Sequence, residues 1–456
     1  MAKKPLSLTE GKVSSALLRF ALPFLAANIL QSLYGAIDLL IIGRYCDSAA
    51  ISAVSIGSQV MITLQSLIIG ISTGSTVLIG QSIGEQDDEK AAHGVGSSVI
   101  LFAIMAIILT PLMILAAPAI LDIMHTPPEA LEYAKQYLII CACGIPFILG
   151  YNAVSSLFRG IGDSKTPMIF VFISSCINLV ADIILVGGFK MGAAGAALAT
   201  VCSQAISFVL AFIYICRKAL PFKFDRSYLK PVGSSIFFIL KVGIPLAAQE
   251  VLVNMSFLII TTMVNGIGVV ASASVGIVEK ILGFVMMPPM AFSSAVTTMA
   301  AQNIGARKPK RALTGLKFGI LYSLIFGVAI TVASFISAES ITGIFATEPE
   351  VITMAATYLR PYSTDCILIC VIFVMNGYFN GCGKSFITFA HSMVATFGFR
   401  IPLCYLSLER CIASGTLTPM GWCMPLASIS SLIITGVYFV WLNKKGIAAQ
   451  QERLEA

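Results

Sequence analysis

The feature that most constrains this chain is a series of long apolar runs, such as 101–119 and 242–264, that contain almost no charge. About 20 apolar residues is the length a helix needs to cross roughly 30 Å of hydrocarbon. In lipid the backbone must satisfy its own hydrogen bonds. Runs this long, without period-two alternation, do so as helices rather than barrel strands. Windows of about twenty residues place twelve spans: 16–43, 51–80, 93–118, 134–158, 167–187, 192–216, 236–265, 271–300, 314–338, 355–381, 386–407 and 421–442. The first run is too long for a signal-peptide core and lacks a small-x-small cleavage site, so it reads as an uncleaved span. Only 11% of the residues are charged and the mean hydropathy is +0.91, against about a quarter charged in soluble domains. A water-soluble fold is excluded. The 12 cysteines fall mostly within spans, with no CxxC pair, and read as apolar packing residues.

Orientation follows from Lys and Arg. With twelve spans and an inner N-terminus, twenty-two basic residues fall on the inner side and four (Arg44, Lys135, Lys190 and Arg410) on the outer. The positive-inside rule therefore places both termini in the cytoplasm, in a multi-pass protein of the bacterial inner membrane.

An internal repeat sets the architecture. Thr126-x-Pro128-Glu129 returns as Thr347-x-Pro349-Glu350, and Gln81-x-Ile83-Gly84 as Gln302-x-Ile304-Gly305. Phe158-x-Gly160-x-Gly162-x-Ser164 returns as Phe379-x-Gly381-x-Gly383-x-Ser385, and Ala134, Tyr137 and Leu138 as Ala355, Tyr358 and Leu359. Every pair is 221 residues apart. A register held over four segments marks a duplication. Because the unit holds six spans, an even number, both copies enter the bilayer from the same side. The expected fold class is an all-α polytopic membrane protein of twelve transmembrane helices. It forms two parallel six-helix bundles with a pseudo-two-fold axis along the membrane normal. The N-terminal bundle covers 1–220, a basic cytoplasmic linker 221–235, and the C-terminal bundle 236–456.

Ionisable groups inside hydrocarbon are expensive, so each is a functional candidate. The first half offers Asp38 in span 1, and Asn178 with Asp182 in span 5, the latter two at i, i+4 on one helix face. Asp38 and Asp182 lie at matching depth, and Thr200 of span 6 falls within about one turn of that level. Carboxylates, an amide and a hydroxyl are hard oxygen ligands suited to a small cation such as sodium, or to a shared proton. The second half places its acids elsewhere, Glu250 in span 7 and Asp365 in span 10. The competing reading is that these acids pair with Lys280, Arg360 or Arg400 and merely hold helices together. It is weakest for Asp38 and Asp182, because no base is expected within the first-half spans. Pro23, echoed by Pro245, kinks the inner part of its helix and is a candidate hinge. Gly70-x-x-x-Gly74 suggests close helix packing.

Several other classes fail on spacing. Gly383-Lys384-Ser385 resembles the end of a phosphate loop, but Tyr378 stands where the loop needs glycine and no strand precedes it. His93, His125 and His391 are scattered, so neither a zinc site nor a catalytic triad is visible. The aromatics lie in spans and do not interleave with basic patches, so nothing supports nucleic-acid binding. The chain is not read as an enzyme, and no cofactor is implied.

These residues, taken in order, resemble the multidrug and toxic compound extrusion (MATE) transporters over nearly the whole length. The matching pieces are Leu33-Tyr34, Asp38 with Ile42-Gly43-Arg44, Gln81-x-x-Gly84 with its echo, Phe158-Arg159-Gly160-x-Gly162-Asp163-x-x-x-Pro167, and Asn178-x-x-x-Asp182. The resemblance implies two bundles that alternate between inward-open and outward-open forms. It implies export of organic cations and amphipathic compounds in exchange for sodium ions or protons, by a monomer in the lipid bilayer. It maps a cation site onto Asp38, Asn178, Asp182 and Thr200, and a bending proline onto Pro23. Glu250 and Asp365 match C-terminal acids of one subgroup, but a tyrosine that accompanies them there is Pro361 here. The alternative within the same superfamily is a lipid-linked saccharide flippase. Its cavity should be basic.

Overall fold

The structure, a computed structural model, describes residues 8–217 and 220–455; Lys3, Lys4 and Lys218 of the orientation argument lie outside the described residues. Among the described residues the long elements are all helices. In chain order they are α1 Val13–Tyr45, α2 Ser48–Glu85, α3 Asp88–Ile123, α4 Pro128–Gly160, α5 Lys165–Asp182, α6 Gly192–Arg217, α7 Gly233–Asn265 and α8 Val269–Val285. There follow α9 Met287–Gly305, α10 Pro309–Thr342, α11 Pro349–Ser363, α12 Asp365–Gly381, α13 Ser385–Met393, α14 Ile401–Ser414 and α15 Thr418–Glu455. The protein is an all-α polytopic membrane protein. Among the described residues eleven spans are long and apolar enough to cross a bilayer, and α11 with α12 supplies a twelfth as a bent pair.

The outward faces of the helices say what the solvent is. The most apolar window of α3 has a mean hydropathy of 2.9, yet only 11% of it is buried. Ile107 and Leu115 are 74% and 80% exposed. In water, apolar surface on this scale would be a severe liability, whereas in lipid it is the requirement.

The repeated motifs turn out to be stop and start signals. Pro128 and Pro349 each occupy the first turn of a helix, followed by Glu129 and Glu350. Proline loses nothing there, because the first N–H groups have no intrahelical partner, and the acid opposes the positive end of the dipole. Gly162 and Gly383 both adopt left-handed backbone, φ 89° and 71°, a conformation that glycine reaches without strain. Asp47 and Asp87 cap α2 and α3 by accepting from Ala50 N and Lys90 N, each at 2.9 Å.

The span read at 355–381 is present as a bent pair: α11 ends at Ser363 and α12 starts at Asp365 with a bend of 47°. The sequence reading treated Pro361 as a departure from a motif. Sitting in the last turn of α11, it removes a backbone donor and accounts for the break.

The chain divides into two compact units. The first comprises Met1–Ala247, Thr298–Ala312 and Gly381–Gly383; the second holds the remainder. In the first unit α4 is central, packing on α2, α3 and α6. Ser72 Oγ donates to Asn152 O (3.2 Å) and Thr76 Oγ1 to Ser156 O (3.3 Å), tying α2 to α4 at successive turns. Gly70 and Gly74 admit α7: a Cβ on them would lie 2.6 Å from Ala247 N and 2.3 Å from Ile239 O. The repeated glutamines also act within this unit. Gln81 Nε2 donates to Gly381 O (3.0 Å) and Gln302 Nε2 to Gly160 O (2.8 Å). Each glutamine thus bonds the glycine carbonyl of the other repeat's motif. In the second unit α11 packs on α8 and α15, and Thr331 Oγ1 donates to Ser363 O (2.6 Å) beside the bend.

Candidate functional site

In the first unit α5 delivers Asn178 and Asp182 from one face, and both are buried. Beyond Asp182 the helix widens into a π-helical segment, Ile183–Gly188. Such bulges shift the register of a helix and often accompany functional side chains. Asp38 of α1 is buried, and its carboxyl lies in hydrogen-bonding contact with that of Asp182. Two buried carboxyls side by side repel each other unless a proton or a cation lies with them. Asn178 holds the pair in place. Its amide nitrogen donates to Asp182 Oδ2 (2.8 Å), and its amide oxygen accepts from the backbone N of Thr200 (3.2 Å). The orientation of an amide is set by such neighbours. Asp38 Oδ1 and Asp182 Oδ1 are buried and have no hydrogen-bond partner among the described residues. The structure therefore brings together the four first-half residues singled out from the sequence, with Thr200 entering through its backbone.

In the second unit Glu250 is half-buried and Asp365 is buried. Asp365 starts α12, so its charge faces the favourable end of a helix dipole. It contacts Ser428 and lies within electrostatic reach of Arg400. Arg400 Nη1 donates to Ser256 Oγ (3.4 Å), and the guanidinium stacks over Phe257 at 5.2 Å. Arg360, considered above as a partner for Asp365, instead forms an ion pair with Glu339 at 2.8 Å.

A cavity open to solvent lies in the first unit among α1, α2, α4, α5 and α6. Its polar lining includes Asn28, Gln31, Gln65, Gln204 and Arg159, with Phe24 and Tyr151 among its apolar walls. An adjoining cavity shares Gln31, Gln65 and Gln204 and reaches Thr200. Sequence reasoning passed over these glutamines, although each interrupts an apolar run at a measurable energetic cost. It also expected no base within the first-half spans. That expectation is overturned: Arg159 lies inside α4, half-buried, and its guanidinium lines the cavity. The long arginine side chain turns back along its own helix, so a residue near the end of a span reaches its interior.

The comparisons with known proteins agree with this architecture. The MatE family model matches residues 23–184 and again 245–406, in step with the internal repeat. Probable multidrug resistance protein YoeA of Bacillus subtilis is 28% identical, covering 93% of this chain and 94% of its own length. Multidrug export protein MepA of Staphylococcus haemolyticus is 27% identical over 82% of this chain and 83% of its own. A solved structure described as the outward-facing conformation of a multidrug resistance MATE family transporter superposes with a TM-score of 0.89. It is 20% identical and covers 99% of this chain and 100% of its own.

Proposed function

This chain belongs to the MatE family, and from that premise we propose that it is a secondary active efflux transporter of the bacterial inner membrane. It exports cationic or amphipathic small molecules by antiport with sodium ions or protons. The observation that carries this reading is the buried meeting of Asp38 and Asp182 inside a membrane-spanning bundle. Each carboxylate keeps an oxygen without a protein partner. A small cation or a proton satisfies that oxygen, and its departure leaves two negative charges in a medium of low dielectric. Occupancy of the pair therefore has a large energetic effect, which is the property a coupling site needs. Asp38 and Asp182 hold the ion, while Asn178 and Thr200 orient the pair. Pro23, which α1 passes through without a break, is the position where that helix can bend. Glu250 and Asp365 are candidates for a second ion-sensitive position. The transporter acts as a monomer with both termini cytoplasmic.

The test is ethidium efflux from energised vesicles under separately imposed sodium and proton gradients. One gradient drives efflux by the native chain, and Asp38→Asn combined with Asp182→Asn abolishes the gradient-driven component. Gradient-driven efflux that survives the double change refutes the coupling role. A flippase for lipid-linked saccharides is the second reading, favoured by the guanidinium of Arg159 in the cavity. Scrambling of a fluorescent lipid-linked oligosaccharide, without ethidium efflux, is its signature.

A further inference from the structure

The cavity of the first unit has an electrostatic character that a purely cationic substrate does not explain. Among the described residues no carboxylate lines it, and the charge it presents is the guanidinium of Arg159. Among the described residues Arg159 has one hydrogen-bond partner, Ser72 Oγ, which accepts from Nη2 at 2.7 Å. A guanidinium carries five N–H donors in a rigid planar fork. The rest of the fork has no hydrogen-bond partner among the described residues. Ser72 also donates to Asn152 O, so the guanidinium is held in place from one side by the α2–α4 contact. The fork is positioned before any ligand arrives. Elsewhere the walls combine neutral amides with apolar surface from Phe24, Ile148 and Met168. Such a lining accepts a flat organic body without demanding a charge from it.

Resting on the efflux reading above, we infer that this cavity, which admits organic cations, prefers amphiphiles that also bear a carboxylate or similar anionic group, seated on Arg159. A carboxylate pairs with the free edge of the guanidinium in bidentate geometry. A cationic centre elsewhere on the same molecule meets amides and aromatic surface, so zwitterions fit best. Arg159 is then a specificity-determining residue, placed at a different point of the bundle from the Asp38–Asp182 pair. Substrate charge and coupling ion are read at separate positions.

Tetramethylrhodamine and its methyl ester test this directly, because they share one xanthylium chromophore and differ in whether the carboxylate is free. Binding to the purified full chain in phosphatidylcholine nanodiscs is followed by fluorescence anisotropy. The native protein prefers the acid over the ester. Arg159→Gln lowers the acid-to-ester affinity ratio about tenfold or more, the scale of a lost charge-assisted bond. Arg159→Lys, which keeps the charge without the fork, restores part of the ratio. Thermal melting of each variant separates this outcome from misfolding. An ester bound as tightly as the acid, binding of neither dye, or a ratio indifferent to Arg159→Gln overturns the proposal. Loss of acid binding when phosphatidylglycerol is added assigns the seat to a lipid phosphate and also overturns it. Binding that follows the expected ratio without gradient-driven transport sinks the efflux reading instead, and leaves the seat standing.

Discussion

Asn178 shows how much a single amide decides. With its nitrogen toward Asp182 and its oxygen toward the Thr200 backbone, it joins α5 to α6 and aims a carboxylate at α1. A residue read from sequence as a possible ligand is, in this geometry, the one that positions the ligand-bearing side chain. The basic residues divide just as sharply. Arg360 and Glu339 meet at 2.8 Å, but their side chains are 38% and 55% exposed, and an ion pair of that kind contributes less than about 1 kcal/mol. Arg400 stacks on Phe257 and bonds Ser256, with its Nε buried. Arg360→Ala therefore leaves the thermal midpoint in detergent nearly unchanged. Arg400→Ala lowers it by an amount corresponding to roughly 1–2 kcal/mol, from the lost stacking and hydrogen bond. Equal effects from the two changes would show that the burial argument misplaces them.

Among the helices, close approach is controlled by glycines whose role the repeat advertises but does not explain. A Cβ on Gly84 would fall 2.0 Å from Gln302 O, and one on Gly305 2.1 Å from Gln81 O. The ends of α2 and α9 touch backbone to backbone within the first unit, and the swapped glutamine bonds flank that contact. A Cβ on Gly276 of α8 would meet no atom of another element within 4 Å. Gly84→Ala and Gly305→Ala are expected to destabilise markedly, since a carbonyl oxygen cannot step aside as a side chain can. Gly276→Ala is expected to be neutral or to stabilise by up to about 1 kcal/mol, as alanine replaces glycine within a helix. Fluorescence-detected size-exclusion melting of the three variants checks the contrast, and an equally stable Gly84→Ala would contradict the contact.

Over the whole molecule, the charge asymmetry and the family membership make one topological statement that can be checked from outside the cell. In a cysteine-free background, a cysteine at Lys12 or Lys444 should react with a membrane-permeant maleimide and resist an impermeant one. A cysteine at Lys135 or Lys190 should be blocked by the impermeant reagent. Labelling of Lys12 and Lys190 from the same side would break the even span count on which the parallel repeat rests.

The sequence alone determined the solvent, the number of crossings and the duplication. Those depend on one-dimensional quantities, the length of apolar runs and the spacing of repeated motifs, which no packing detail alters. It also found Asp38, Asn178 and Asp182, because a charge or amide in a long apolar run is conspicuous. What the tertiary structure decided is which groups face one another. The reach of Arg159 into a cavity, its hydroxyl partner on another helix and the engagement of Arg360 with Glu339 are all relations between different helices. Side-chain direction and inter-helix contact set them, and neither is written in the hydropathy of a single span.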